Sequence, residues 1–184
     1  FFAVIALMIK CTDRGSVFYR QDRLTQNGKV FSICKFRTMI QDAEKDTGAR
    51  LASDHDDRIL PVGKFLRRTR LDELPQLWNI LKGEMSVVGP RPERPELAEE
   101  IEKEIPEFHD RLKVKAGLTG YAQIYGKYNT TSYDKLKLDL SYIRKYSVFL
   151  DLKLILMTPK IMFMKESTEG VKEDGHNSGV NSML

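Results

Sequence analysis

Apolar positions along this chain change their spacing several times, and each spacing predicts a different element. Residues 1–9 are an almost unbroken apolar run that stops at Lys10. Crossing a bilayer takes about 20 such residues, so this run is too short to span. It also lacks the basic start and the small-residue cleavage site of a signal peptide. It opens without an initiator methionine and in mid-pattern, so the expectation is a chain cut inside a longer hydrophobic helix that ends near residue 14. A buried N-terminal core helix would show the same pattern.

Apolar positions next alternate or cluster in residues 17–19 and 30–35, around Asn27-Gly28. That dipeptide between two such runs predicts a β-hairpin. Lys35 and Arg37 then fall at a strand end. Residues 41–57 are polar and read as a loop or short helix. Leu74, Leu77, Trp78 and Leu81 recur at helical spacing and predict a short amphipathic helix over 72–82. Asp72 stands at its N-cap, Pro75 in its first turn and Gly83 at its close. Leu97, Ile101 and Ile105 form one stripe in the acidic stretch 94–110, which predicts a solvated helix packed on the core.

From Arg111 onward the charge reverses. Lys113, Lys115, Lys135, Lys137, Arg144, Lys145, Lys153 and Lys160 interleave with Leu136, Leu138, Leu140, Tyr142, Ile143 and the runs 149–156 and 161–164. A basic amphipathic segment of this kind suits an anionic membrane interface. A packed helix with a solvated lysine face has the same pattern. Pro159 predicts a kink or two short helices. The polar tail from Ser167 is expected to fray.

Composition narrows the picture. A chain of 184 residues suits one domain with a sizeable core. Charged residues make up 30% of the chain, and the net charge is only +4. Cys11 and Cys34 form no disulfide framework and point to a reducing compartment. His55, His109 and His176 lie far apart, without zinc-ligand spacing.

The candidate chemistry lies in residues 67–95. Arg67, Arg68 and Arg70 precede the carboxylate pair Asp72-Glu73, and Arg91 and Arg94 follow among prolines. Guanidinium groups match phosphate oxygens in pairs, and a helix N-terminus favours anions. Adjacent helical residues point in different directions, so Asp72 and Glu73 are expected to do different work. One carboxylate could attack phosphorus, and the other could hold Mg²⁺, which takes one or two carboxylates plus substrate phosphates. Helix capping with surface salt bridges would also explain an acidic pair at this place.

Several blocks in order resemble the bacterial sugar transferases, the monotopic polyprenyl-phosphate phosphoglycosyl transferases. They are Gly15-Ser-Val-Phe-Tyr-Arg-Gln21, Lys35-Phe-Arg-Thr-Met39, Asp57-Arg58, Leu71-Asp-Glu-Leu-Pro-Gln76, Val88-Gly-Pro-Arg-Pro92 and Lys115-Ala-Gly-Leu-Thr-Gly-Tyr-Ala-Gln123. The resemblance implies transfer of a sugar-1-phosphate from a UDP-sugar to undecaprenyl phosphate, with UMP released. It implies Asp72 as covalent nucleophile and Glu73 as Mg²⁺ ligand, with Lys35, Arg37, Arg67 and Arg91 on the phosphates. It implies a re-entrant N-terminal helix at the cytoplasmic face of a bacterial membrane. The form Tyr125-Gly-Lys-Tyr-Asn-Thr130 resembles the branch that begins exopolysaccharide or capsule repeats. Tyr121, Gln123, Tyr125, Tyr128 and Asn129 are candidates for contacts to sugar or uracil.

The fold expected is a mixed α/β domain, mostly helical, with a small hairpin and interface helices. It divides into residues 1–14, a catalytic domain over 15–166 and a tail over 167–184. The Asp72 helix should start at the floor of a basic cleft, and the apolar faces of 1–9 and 149–164 should lie on one side. Membrane lipid is an expected partner, nucleic acid is not, and a homo-oligomer stays open. The competing class is a soluble basic module that binds phosphate or nucleotide without chemistry; its support is the arginine clustering.

Overall fold

A computed structural model of the chain describes residues 2–43, 56–126 and 130–162. The architecture is mixed α/β and mostly helical, with two small sheets. Helix α1, Phe2–Asp13, leads into an antiparallel hairpin of β1, Phe18–Leu24, and β2, Val30–Phe36. The hairpin turns where the sequence predicts. Asn27 and Gly28 both take positive φ, 60° and 70°, as a tight turn requires of its central residues.

The termination of α1 is built from charge. Arg37, just past β2, is 5% exposed. A buried guanidinium needs a carboxylate. Asp13, the last residue of α1, accepts from both Arg37 Nη1 and Nη2 at 2.5 Å. Arg37 also donates to the carbonyls of Ser16 and Met39. Burial of Ile5 and Ile9 against Phe36 and Leu66 completes the join.

Helix α2, Pro61–Arg68, packs on α1, and its Gly63 lies so close to Thr38 that a Cβ would come 2.1 Å from that carbonyl oxygen. A 3₁₀ turn, Leu71–Glu73, and helix α3, Gln76–Leu81, follow. The apolar stripe of α3 is not its packed face. Leu77, Trp78 and Leu81 are exposed, Leu81 by 79%, whereas Gln76 and Asn79 are buried. Asn79 explains the inversion. Its side chain accepts from Cys34 N at 3.0 Å and donates to Ser32 O at 2.9 Å, so it covers the free edge of β2 where a third strand would pair.

The second sheet pairs β3, Ser86–Val88, in parallel with β4, Gly117–Thr119. The crossover holds α4, Pro95–Glu104, and a 3₁₀ stretch, Pro106–Lys113. The single helix expected over 94–110 is broken at Ile105, because a residue before proline is pushed out of the helical region. Gly117 and Gly120 serve close approach: a Cβ on Gly117 would sit 2.1 Å from Gly89 N, and one on Gly120 2.2 Å from Gly89 O.

Helix α5, Tyr121–Tyr125, precedes α6, Ser132–Arg144, and α7, Val148–Met162. Thr131 caps α6 by accepting from Asp134 N. The helix α7 runs through Pro159, so this stretch is one helix and not two short ones. Leu154 of α7 is buried with Tyr142 and Val88, and Tyr142 donates to Asp151 Oδ1 at 2.8 Å. Its other face is open: Phe149 is 86% exposed and Leu156 80%. The helix α1 is two-sided as well, with Val4, Leu7 and Met8 exposed opposite Ile5 and Ile9. Neither helix is enclosed in a core. No helix among the described residues is long and apolar enough to cross a membrane. The loop 41–57 falls largely outside the described residues, as do Lys127, Tyr128, Asn129, His55, His176 and the tail.

Candidate active site

The acidic pair sits on the 3₁₀ turn rather than at a helix cap. Arg70 takes φ 52°, a left-handed conformation that is uncommon outside glycine and asparagine, and it turns the chain from α2 into Leu71–Glu73. The helix α3 begins only at Gln76 and has six residues. Asp72 therefore lies ahead of α3 and does not cap it. Cationic side chains supply the positive field.

Glu73 is the centre of that field. It is 8% exposed. Lys35 Nζ lies 2.9 Å from its Oε1, and Arg91 Nη2 lies 2.8 Å from the same oxygen. Arg70 Nη1 is 4.0 Å from Oε2. Three separate pieces of chain thus converge. Lys35 gets there by strand periodicity: Phe31, Ile33 and Lys35 share one face of β2, and the first two are core. Arg91 gets there on the segment between Pro90 and Pro92. Burial opposes charge on Glu73, but Arg91, Lys35 and Arg70 outweigh it and hold the carboxyl well below the usual carboxylate range.

Asp72 behaves in the opposite way. Burial, then the negative charge of Glu73, raise its carboxyl to about 6, against the pull of Lys35, Arg67 and Arg91. The two adjacent acids therefore stand in different electrostatic surroundings. One is locked as an anion among cations, and the other is an anion kept poorly compensated. A desolvated, destabilised carboxylate is a better nucleophile or base than one held in ion pairs. Arg67, in the last turn of α2, contributes to the field at Asp72 and also at Asp56. Asp56 is itself paired with Arg58 at 2.6 Å.

Of the six residues singled out by sequence, Lys35, Glu73 and Arg91 are in direct contact, and Asp72 and Arg67 lie within electrostatic reach. Arg37 is the exception. Its guanidinium is committed to Asp13, Ser16 and Met39, and it clamps α1 to the hairpin instead of facing Glu73. Arg70, which the sequence places in the arginine cluster and to which the resemblance gives no role, also reaches Glu73. Its i, i+3 spacing to Glu73 was the available signal. Among the described residues no three His, Cys, Asp or Glu side chains gather into a metal-binding group. Asp72 and Glu73 are hard carboxylates of the kind that Mg²⁺ takes, one or two at a time, alongside substrate phosphates and water.

Comparison with known proteins shows the family. The family model described as "Bacterial sugar transferase" matches residues 1–165, which includes every element of the site. The chain is 42% identical over 163 residues to the galactosyl transferase CpsE of Streptococcus agalactiae serotype III, across 83% of this chain and 36% of that protein. It is 39% identical to a UDP-N-acetylgalactosamine-undecaprenyl-phosphate N-acetylgalactosaminephosphotransferase of Aeromonas hydrophila, across 83% and 37%. It is 44% identical to a UDP-glucose:undecaprenyl-phosphate glucose-1-phosphate transferase of Klebsiella pneumoniae, across 89% and 36%. The chain spans about a third of the length of these curated relatives. With a family match across the fold and a carboxylate pair set among phosphate-matching cations, the chain belongs to the bacterial sugar transferase family.

Proposed function

We propose that this domain transfers a sugar-1-phosphate from a UDP-sugar to undecaprenyl phosphate and releases UMP, through a phosphosugar carried on Asp72. The carrying observation is the split between the two acids. A carboxyl raised to about 6 stands next to one held fully ionised by Lys35, Arg91 and Arg70. A module that only binds phosphate has no use for a buried, poorly compensated carboxylate beside its cations.

The reaction follows from that arrangement. Arg91, Lys35 and Arg67 receive the diphosphate and draw charge from its oxygens. An Asp72 oxygen attacks the phosphorus next to the sugar. The bond from that phosphorus to the bridging oxygen breaks, and UMP leaves with the bridging oxygen. A phosphate oxygen of the lipid then attacks the same phosphorus, the acyl-phosphate bond breaks and Asp72 returns as a carboxylate. Mg²⁺ held by Glu73, with Asp72 beside it, would neutralise charge on the diphosphate. Two half-reactions of this kind give ping-pong kinetics. The named relatives use different sugars, so a panel of UDP-glucose, UDP-galactose and UDP-N-acetylgalactosamine identifies the donor by UMP release. With that donor and no lipid, mass spectrometry should find a sugar-phosphate adduct on the peptide containing Asp72. Absence of the adduct, together with intersecting initial-rate lines, would replace this scheme by direct transfer.

The exposed apolar faces support a place on the cytoplasmic surface of a membrane, as the first step of exopolysaccharide or capsule assembly. We read α1 as the returning arm of a re-entrant helix. Leu77, Trp78 and Leu81 of α3, with Lys82 over the Trp78 ring, add a third apolar face of interfacial chemistry close to the site. Flotation with anionic vesicles should carry the protein up, and replacing Trp78 and Leu81 by Ser should weaken it.

A further inference from the structure

Arg91 presents a problem of support. Its side chain is 43% exposed and it lies between two prolines, which have no N–H with which to join a ladder. Yet it must arrive on Glu73 in one orientation. The segment is held from outside, through its carbonyls. Gly117 N donates to Pro90 O at 2.9 Å, and Arg111 Nη2 to Arg91 O at 2.9 Å. Arg23 Nη1 donates to Pro92 O at 3.3 Å, and Leu24 N to Glu93 O at 2.9 Å. Four successive carbonyls are captured by β4, the 3₁₀ stretch before it, and β1. Below the segment is a narrow recess lined by Leu24, Pro92, Ala98 and Phe108.

Arg111 is the costly member of this set. It is 6% exposed, and its Nε and Nη2 donate to Asp139 Oδ2 at 3.0 and 2.7 Å. Asp139, on α6, is 1% exposed. Glu93 Oε1 stands 3.7 Å from Nη1, and the Phe108 ring lies under the guanidinium. A buried ion pair of this kind is often no more stable than apolar side chains of the same volume. What apolar side chains could not do is donate an N–H to Arg91 O while anchored to a distant helix.

We propose that Arg111, anchored by Asp139, and Arg23 are positioning residues that set the Arg91 guanidinium on Glu73 for the transfer reaction. They act through the backbone of residues 91–92 and touch no substrate. The inference rests on the reading of Arg91 as a phosphate-binding residue of that reaction.

Double-mutant cycles test it, in the detergent-extracted protein with the UDP-sugar that supports turnover and undecaprenyl phosphate. Arg111→Gln should lower kcat/KM for the donor by about 30-fold and Arg23→Gln by about 5-fold, since a shift of about 1 Å at a reacting centre costs on this scale. In an Arg91→Ala background each effect should shrink to about 2-fold or less, because the residue they position is gone. Binding of UDP, measured on the same variants by calorimetry, should show the same loss of effect. Losses that multiply unchanged in the Arg91→Ala background overturn the proposal and leave a purely structural role, as do single variants at wild-type rate. Arg91→Ala at wild-type rate would instead remove the reading of Arg91 itself. Thermal melts identify any variant that fails to fold. Should Arg111→Gln be one, Arg111→Lys, which keeps a charge beside Asp139, and the Arg23→Gln cycle decide by the same criterion.

Discussion

Glu73 and Asp139 are both buried acids held by arginine, and their proton affinities move in opposite directions. Glu73 has Arg91, Lys35 and Arg70 around it and is held below the usual carboxylate range despite its burial. Asp139 has Arg111 as its main cation, and burial wins, so its carboxyl is raised. Asp72 resembles Asp139 in sign although it is adjacent to Glu73 in sequence. The difference shows that burial alone does not determine the state of an acid in this protein. Direct contact with cations does: Lys35 and Arg91 touch Glu73 but act on Asp72 only through their field, and each depends on where a separate piece of chain has been placed.

Asp72→Asn should break the comparison most visibly. Activity should fall by about three or more powers of ten, since positioning and electrostatics remain but the nucleophile does not. Stability should rise at the same time. The move of this carboxyl from 3.8 to about 6 means that the folded state holds the proton more tightly, so stability is lost as pH climbs from about 4 through 6. At neutral pH the cost is at most ~3 kcal/mol, and the asparagine variant should recover about 1–3 of it as a raised Tm. A lowered Tm would mean that Asp72 is well compensated after all.

Glu73→Gln is the opposite case. It strands Lys35 and Arg91, so we expect about a hundredfold loss of activity and a loss of stability. The folded-state carboxyl is depressed, so its stabilising share is present above about pH 4.5 and drains as pH falls below that. Denaturant midpoints of wild type and variant should differ most near neutrality and converge in acid. A gap that stays constant with pH would remove the ionic explanation. EDTA should abolish turnover of the wild type, and Glu73→Gln at full rate across a Mg²⁺ titration would end its role as a metal ligand.

The wild-type acid limb is the next largest effect. If an ionised Asp72 attacks, kcat/KM should fall about tenfold per pH unit below about 6. A limb near 4 would point to an unperturbed carboxylate. The double replacement Arg111→Met with Asp139→Leu should sharpen the contrast from the other side. It should leave Tm nearly unchanged or raised, as buried ion pairs often allow, yet lower kcat/KM by about tenfold. The smallest effect is expected from Arg70→Gly. It relieves the left-handed backbone at φ 52° and removes the most distant of the three cations. Stability should change by less than about 1 kcal/mol, with activity down only a few-fold.

Much of this protein was legible in the residues themselves, for local reasons. Asn27-Gly28 dictated its hairpin because few other pairs accept two positive φ angles in succession. Period-two alternation put Lys35 on the same face as Phe31 and Ile33, and so in line with the site. The blocks around Asp72-Glu73 and Arg91 carried the family. These are statements about one or two turns of chain, where geometry is set by neighbours in sequence.

What remained was decided by distant partners. Leu77, Trp78 and Leu81 look like a core stripe until Asn79 is seen covering the open edge of β2. Arg37 and Arg70 are alike as letters, and only the position of Asp13 at the end of α1 sends one to a clamp and the other toward Glu73. The parallel pairing of β3 with β4 needs Gly89 and Gly117 in close approach although they lie far apart in sequence. Arg111 and Asp139 fall in stretches that read as ordinary charged helix surface, and they become a buried pair only when α6 packs against the 3₁₀ stretch. Charge in the sequence therefore determined what kind of chemistry this domain supports. Burial and the meeting of non-neighbouring segments decided which charges carry it, because the strength of an ionic contact depends on desolvation and distance, and neither is a property of one residue.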